Sequence, residues 1–142
     1  MVLVETRALV KRFGSFTAVD DITFSVSSGE VVGFLGPNGA GKSTTMRLIA
    51  GFLEPTSGSA LICGHNSQDD PVRARQRLGY LPEGAPLYPD MSVGAFLEFV
   101  AGMRGLNRTQ TRDRLAEVVE SIELAEVWNR RIDALSKGYK RR

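Results

Sequence analysis

Val31-Val32-Gly33-Phe34-Leu35-Gly36-Pro37-Asn38-Gly39-Ala40-Gly41-Lys42-Ser43-Thr44 is the stretch on which the fold turns. Its first five residues are continuously apolar, as a strand buried on both faces requires. Residues 42–51 then read as a helix, so the order is strand, glycine-rich turn, helix. Residues 36–43 satisfy every fixed position of the phosphate-loop pattern. The bland alternative is a glycine turn that happens to precede a serine, and the strand-before, helix-after context decides against it. A triphosphate needs many hydrogen-bond donors in a small volume. Glycines let main-chain N–H groups turn inward, and the helix adds its positive end. Lys42 supplies a mobile cation for the outer phosphates, and the Ser43 hydroxyl is placed to ligate Mg²⁺. The expected phosphate contacts are therefore Gly36, Pro37, Asn38, Gly39, Ala40, Gly41, Lys42, Ser43 and Thr44. The loop alone does not choose among ATPases, GTPases and kinases.

Upstream, short β-rich runs at 3–4, 9–10, 17–19 and 22–26 alternate with turn-prone Gly14-Ser15 and Ser27-Ser28-Gly29, which predicts an antiparallel β-region. Downstream, a turn at Pro55, Ser57 and Gly58 precedes a strand at 59–63, and Pro71 opens a short helix through Arg77. Residues 78–81 read as a strand and 83–91, with Gly84, Pro86 and Pro89, as an exposed loop. Ser92 is a plausible N-cap for a helix carrying Val93, Phe96, Leu97 and Val100. In 109–124, Leu115, Val118, Val119 and Ile122 form one apolar stripe on a charged helix, expected to pack on the preceding helix. Trp128 is expected to pack the same helical region. These elements predict an α/β fold: 1–90 as β-region and phosphate-loop core, 91–142 as a helical appendage.

The formal charge of +2 arises from 18 basic and 16 acidic residues, well mixed apart from Lys137, Lys140, Arg141 and Arg142. That balance gives no nucleic-acid footprint and no basic membrane surface. The lone cysteine, Cys63, has no internal partner, and no signal-peptide order is present, so the expected compartment is the cytoplasm. The longest apolar run, 31–35, is far short of the roughly 20 residues that span a bilayer. His65, between Gly64 and Asn66, and Asp69-Asp70 read as turn residues rather than metal ligands.

Three further segments resemble the ABC-type ATPases. Val10-Lys11-Arg12-Phe13-Gly14, followed by Ala18-Val19-Asp20-Asp21-Ile22, is similar to the family's strand ahead of the phosphate loop. The resemblance implies that Phe13 stacks on adenine; ordinary β-region core is the alternative. Leu78-Gly79-Tyr80-Leu81-Pro82-Glu83 resembles the segment that usually ends in a glutamine touching Mg²⁺ and the attacking water. Glu83 departs from that pattern: it is either an Mg²⁺ ligand, adding negative charge beside the γ-phosphate, or a solvated loop acid. The loop after it, with Pro86, Leu87 and Tyr88, would face a membrane permease subunit. Leu135-Ser136-Lys137-Gly138-Tyr139-Lys140 looks like the family signature, with Lys137 and Tyr139 where glycine and glutamine are common. There Ser136 caps a helix and, by resemblance, meets the γ-phosphate held by a second ATP-binding subunit in a head-to-tail dimer.

The resemblance covers essentially all 142 residues. It implies a P-loop NTPase core with antiparallel β and helical subdomains, and an ATP-binding subunit of an exporter, peripheral at the inner face of the membrane. In the family, a strand ending in aspartate and glutamate follows the signature. The sequence stops at Arg142, so the expectation is a partial cassette that binds ATP without the full hydrolytic set, with the apolar strand 31–35 uncovered and the signature helix frayed. The alternatives are a soluble ABC-type ATPase without a membrane partner and a non-catalytic nucleotide-binding remnant.

Overall fold

Two long strands, β1 (Val2–Phe13) and β2 (Phe16–Ser27), form an antiparallel hairpin in the computed structural model, which describes residues 1–82, 84 and 87–142. The short β-rich runs predicted here are joined because bulges carry the ladder across the breaks in alternation. Ala8 and Asp21 sit at positive φ, 47° and 46°, and the Ala8 N–H donates to Thr23 Oγ1 at 2.8 Å. Thr6 is fully buried in this ladder, and its Oγ1 accepts from the Phe24 N–H at 3.1 Å, so no polar group is orphaned. β3 (Ser57–Ile62) pairs antiparallel with β1, and β4 (His65–Asn66) with β3, giving the order β2-β1-β3-β4.

Helices α1 (Lys42–Ile49) and α2 (Pro71–Gln76) pack onto this sheet. Leu9, Val19, Leu48, Ile49, Ala60, Ile62 and Ala74 form the core between them. His65, read as a turn residue, lies in β4 with Nδ1 3.1 Å from the Asp70 carboxylate. These residues belong to one compact unit, Met1–Leu81.

Two expected strands are absent from the ladders of this unit. Residues 31–35 are not hydrogen-bonded to any strand among the described residues, and Val31 and Leu35 are 99% and 93% exposed. An apolar run becomes a buried strand only where neighbours supply N–H and C=O groups on both edges, and no described segment does so. Phe34 alone finds a partner, with its ring centroid 5.7 Å from that of Phe24. Residues 78–81 likewise form no ladder: Leu81 is exposed, and Tyr80 stacks on Phe52 at 5.1 Å.

The second unit, Pro82–Arg142, is helical. α3 (Val93–Met103) starts at Ser92, whose side chain accepts from the Ala95 N–H at 3.2 Å. α4 (Arg108–Ser121) begins one residue before its predicted start, because Asn107 and Gln110 form a reciprocal capping box. Single 3₁₀ turns at Ala125–Val127 and Ile132–Ala134 lead to α5 (Lys137–Arg141). Val93, Leu124, Val127 and Ile132 are buried, with Phe96, Leu97, Val119, Leu135 and Tyr139 against them. Segments 89–94 and 128–133 are laced by main-chain bonds, among them Val93 N–H to Arg130 O at 3.0 Å and Ile132 N–H to Met91 O at 3.0 Å.

Trp128 closes this unit by lying over Gly94: a Cβ there would come within 2.5 Å of ring atom Cε2. Gly94→Ala is therefore expected to cost roughly 1–3 kcal/mol through overpacking. Trp128 is the sole tryptophan, so its fluorescence reports the change directly. An emission spectrum and urea midpoint identical to those of the parent protein would show that the ring is not seated on this glycine.

Candidate nucleotide-binding site

Gly41 decides where the phosphate loop sits. It holds φ 83°, and a Cβ on it would collide with the Ala18 carbonyl oxygen and lie 3.5 Å from Val19 Cγ2. Only glycine permits both the left-handed conformation and this approach to the backbone of β2. The loop is consequently pressed against the hairpin. Pairing of Lys11 with Val19 and of Phe13 with Phe16 then carries the geometry outward to Phe13. At about 3.3 Å per residue, Phe13 lies roughly 7 Å along the hairpin from the Gly41 contact. The ring is 50% exposed, which excludes the core reading weighed for it.

Inside the loop, the Ala40 N–H donates to Pro37 O at 3.3 Å, forming the turn, and Gly36 and Gly39 take positive φ. Lys42 Nζ folds back to donate to the carbonyls of Gly36 and Pro37, both at 2.6 Å. At the head of α1, Gly41 O accepts from both the Thr45 N–H at 2.8 Å and Thr45 Oγ1 at 2.9 Å. That leaves the amides of Lys42, Ser43 and Thr44 with no acceptor among the described residues, as the first turn of a helix dictates. No side chain caps this helix and no acidic residue occupies its first turn.

A triphosphate fits this donor set. Unpaired amides, an ammonium and a helix N-terminus converge on a loop without a competing carboxylate. Ser43 is exposed at the same helix end, as a ligand to Mg²⁺ must be. Mg²⁺ takes few protein ligands beside phosphate oxygens, and Ser43 is the expected ligand that the described residues include. Among the described residues no cluster of three His, Cys, Asp or Glu forms a separate metal site. Glu83, the other expected metal ligand, and Pro86 of the expected partner loop lie outside the described residues.

The signature-like segment belongs to the helical unit. Ser136 is the N-cap of α5, its Oγ accepting from the Tyr139 N–H at 3.3 Å. Leu135 and Tyr139 turn inward onto the core, whereas Lys137 and Gly138 are exposed. Just ahead of the segment, Arg131 Nη2 reaches Asp90 at 2.7 Å and Asp133 at 2.6 Å. The hydrogen bond from Arg131 holds the Asp133 carboxyl below its ordinary range. Two residues near the proposed site are given no role by the motifs: Thr45, which locks the helix start, and Lys11, whose Nζ stands 5.2 Å from the Phe13 ring centroid. Lys11 was legible as the residue two before Phe13 on a strand, hence on the same side.

A phosphate loop running into a helix, an antiparallel sheet beside it and a separate helical unit make up the α/β fold of an ATP-binding cassette. The family model described as ABC transporter matches residues 19–142, and the chain belongs to that family. It is 39% identical to the probable multidrug ABC transporter ATP-binding protein YbhF of Escherichia coli K12, over 99% of this chain and 24% of that protein. It is 36% identical to the linearmycin resistance ATP-binding protein LnrL of Bacillus subtilis, over 99% of this chain and 45% of that protein. A solved ATP-binding subunit of an ABC transporter superposes with a TM-score of 0.88 at 33% identity, covering 97% of this chain and 57% of that one. The chain thus spans less than half the length of these two curated relatives.

The contact at Gly41 generates a paired test. Gly41→Ala is expected to unseat the loop and lower Mg-ATP affinity at least tenfold by calorimetry. Gly39→Ala, at φ 87° but with nothing within 4 Å of its Cβ, meets only the left-handed penalty of roughly 1–2 kcal/mol. Equal losses in the two variants would mean that the approach to Ala18 has no bearing on the site.

Proposed function

We propose that this chain is the ATP-binding region of an ABC exporter's ATPase subunit, which couples nucleotide binding and hydrolysis to substrate movement through a membrane permease. The observation that carries the reading is the open donor set at 36–44: unpaired amides of Lys42, Ser43 and Thr44 beside an ammonium that rests on two carbonyls. Phe13 receives adenine, residues Gly36 to Thr44 receive the phosphates, and Ser43 ligates Mg²⁺, with Glu83 as its second protein ligand. The metal supplies charge neutralisation that a single lysine cannot reach. Ser136 and Gly138 face nucleotide on a second subunit in a head-to-tail dimer. The signature segment is suited to that role because Ser136 and Gly138 are exposed on a capped helix start.

Attachment to a membrane falls to the permease, since no helix among the described residues is long and apolar enough to cross one. The naming of two relatives for multidrug transport and linearmycin resistance favours export.

Lys42→Ala is expected to weaken Mg-ATP binding at least tenfold, since a hydrogen bond to a charged partner contributes roughly 1.5–3 kcal/mol. Equal affinity in a variant shown by circular dichroism to be folded would remove the nucleotide reading. The coupling has its own check. A tagged chain expressed with its neighbouring reading frames should retain an integral membrane protein through detergent purification, and purification of the chain as a soluble species alone would count against a permease partner.

A further inference from the structure

Lys11 reaches toward Phe13 from the same strand, and four contacts fix where it ends. Its Nζ donates to the Glu54 carbonyl at 2.6 Å and stands 5.2 Å from the Phe13 ring centroid. The segment that supplies that carbonyl is itself tied to β1, by the Thr56 N–H to Val10 O at 2.8 Å and by the Arg12 N–H to Thr56 Oγ1 at 2.9 Å. The ammonium is therefore held rather than swinging in solvent. It lies over the π-system of a ring that remains half exposed at the tip of the hairpin.

We infer that Lys11 is a positioning residue for base recognition: held by the Glu54 carbonyl, it orients the Phe13 ring and presents the ring's free face to the adenine of ATP. This rests on the proposed role of Phe13. Two physical effects follow from the arrangement. A cation over one face restricts the ring's rotation, so less freedom is lost when a base stacks. It also draws π-electron density toward itself, which makes the opposite face a better partner for an electron-rich purine. Lys11 is not a phosphate ligand in this account, because its ammonium is already engaged on a carbonyl.

The test compares Mg-ATP with Mg-tripolyphosphate, which has the phosphates and no base, by calorimetry on the 142-residue chain. Lys11→Met should lower ATP affinity about two- to fivefold, the range of an exposed cation–π contact, and leave tripolyphosphate affinity unchanged. Lys11→Arg should restore most of the loss, and Lys11→Met should add nothing in a Phe13→Ala background. Equal loss for both ligands in Lys11→Met would overturn the inference in favour of a general structural or charge effect. Unchanged ATP affinity in Lys11→Met, with a loss in Phe13→Ala, would overturn it while leaving Phe13 as the base-stacking ring. No loss of ATP over tripolyphosphate in Phe13→Ala would remove the stacking role itself, and this inference with it. The phosphate site is judged separately by tripolyphosphate binding in the parent chain.

Discussion

The approach of Gly41 to the carbonyl of Ala18 is the constraint on which the N-terminal unit depends. A missing Cβ lets the start of α1 lie against the backbone of β2, and this one contact joins the helix that carries the unpaired amides to the hairpin that carries Phe13. Burial of Val19, Leu48 and Ile49 in a common core then holds the two elements together. The energetics are those of ordinary packing, at about 25 cal/mol per Å² of apolar surface removed from water. The specificity is different in kind. It lies in one glycine that no other residue can replace without moving a carbonyl.

How far the sequence discloses this differs by element. The loop and helix at 36–49 are legible because glycine, lysine and serine occur at fixed offsets for a chemical reason. The capped start of α3 at Ser92 is legible for the same sort of reason, a hydroxyl ahead of an apolar helical period. Strands are harder. β1 and β2 read as fragments because bulges at Ala8 and Asp21 interrupt the two-residue alternation, although the ladder continues through them. Residues 31–35 read as a buried strand from composition, yet burial is a property of neighbours, and the described residues supply none. Apolar spacing starts α4 at Thr109, whereas the reciprocal bonds of Asn107 and Gln110 start it at Arg108.

Contacts between side chains far apart in sequence are the least legible. Nothing in the pattern around Gly94 announces that Trp128 will lie on it, because the pairing depends on how segments 89–94 and 128–133 meet. Lys11 and Phe13 are an intermediate case: their spacing places them on one side of a strand, but the Glu54 carbonyl that steadies the ammonium comes from a distant turn. Membership of the ABC transporter family was legible all the same, since it rests on short motifs whose residues act locally.

The resting position of Lys42 says something about which ligands the loop can accept. Its ammonium is satisfied by two carbonyls at 2.6 Å, so a newcomer must replace two charge–dipole hydrogen bonds. A neutral hydroxyl or a nucleoside offers only another dipole, and the exchange gains nothing. A phosphate oxygen offers a full opposing charge, and charge-assisted hydrogen bonds are roughly twice as strong as neutral ones. The unpaired amides of Lys42, Ser43 and Thr44 act in the same sense, since each prefers an anion to water at the positive end of α1. The loop is thus stable as it stands and still discriminates by charge. Anion selectivity and self-sufficiency come from the same lysine.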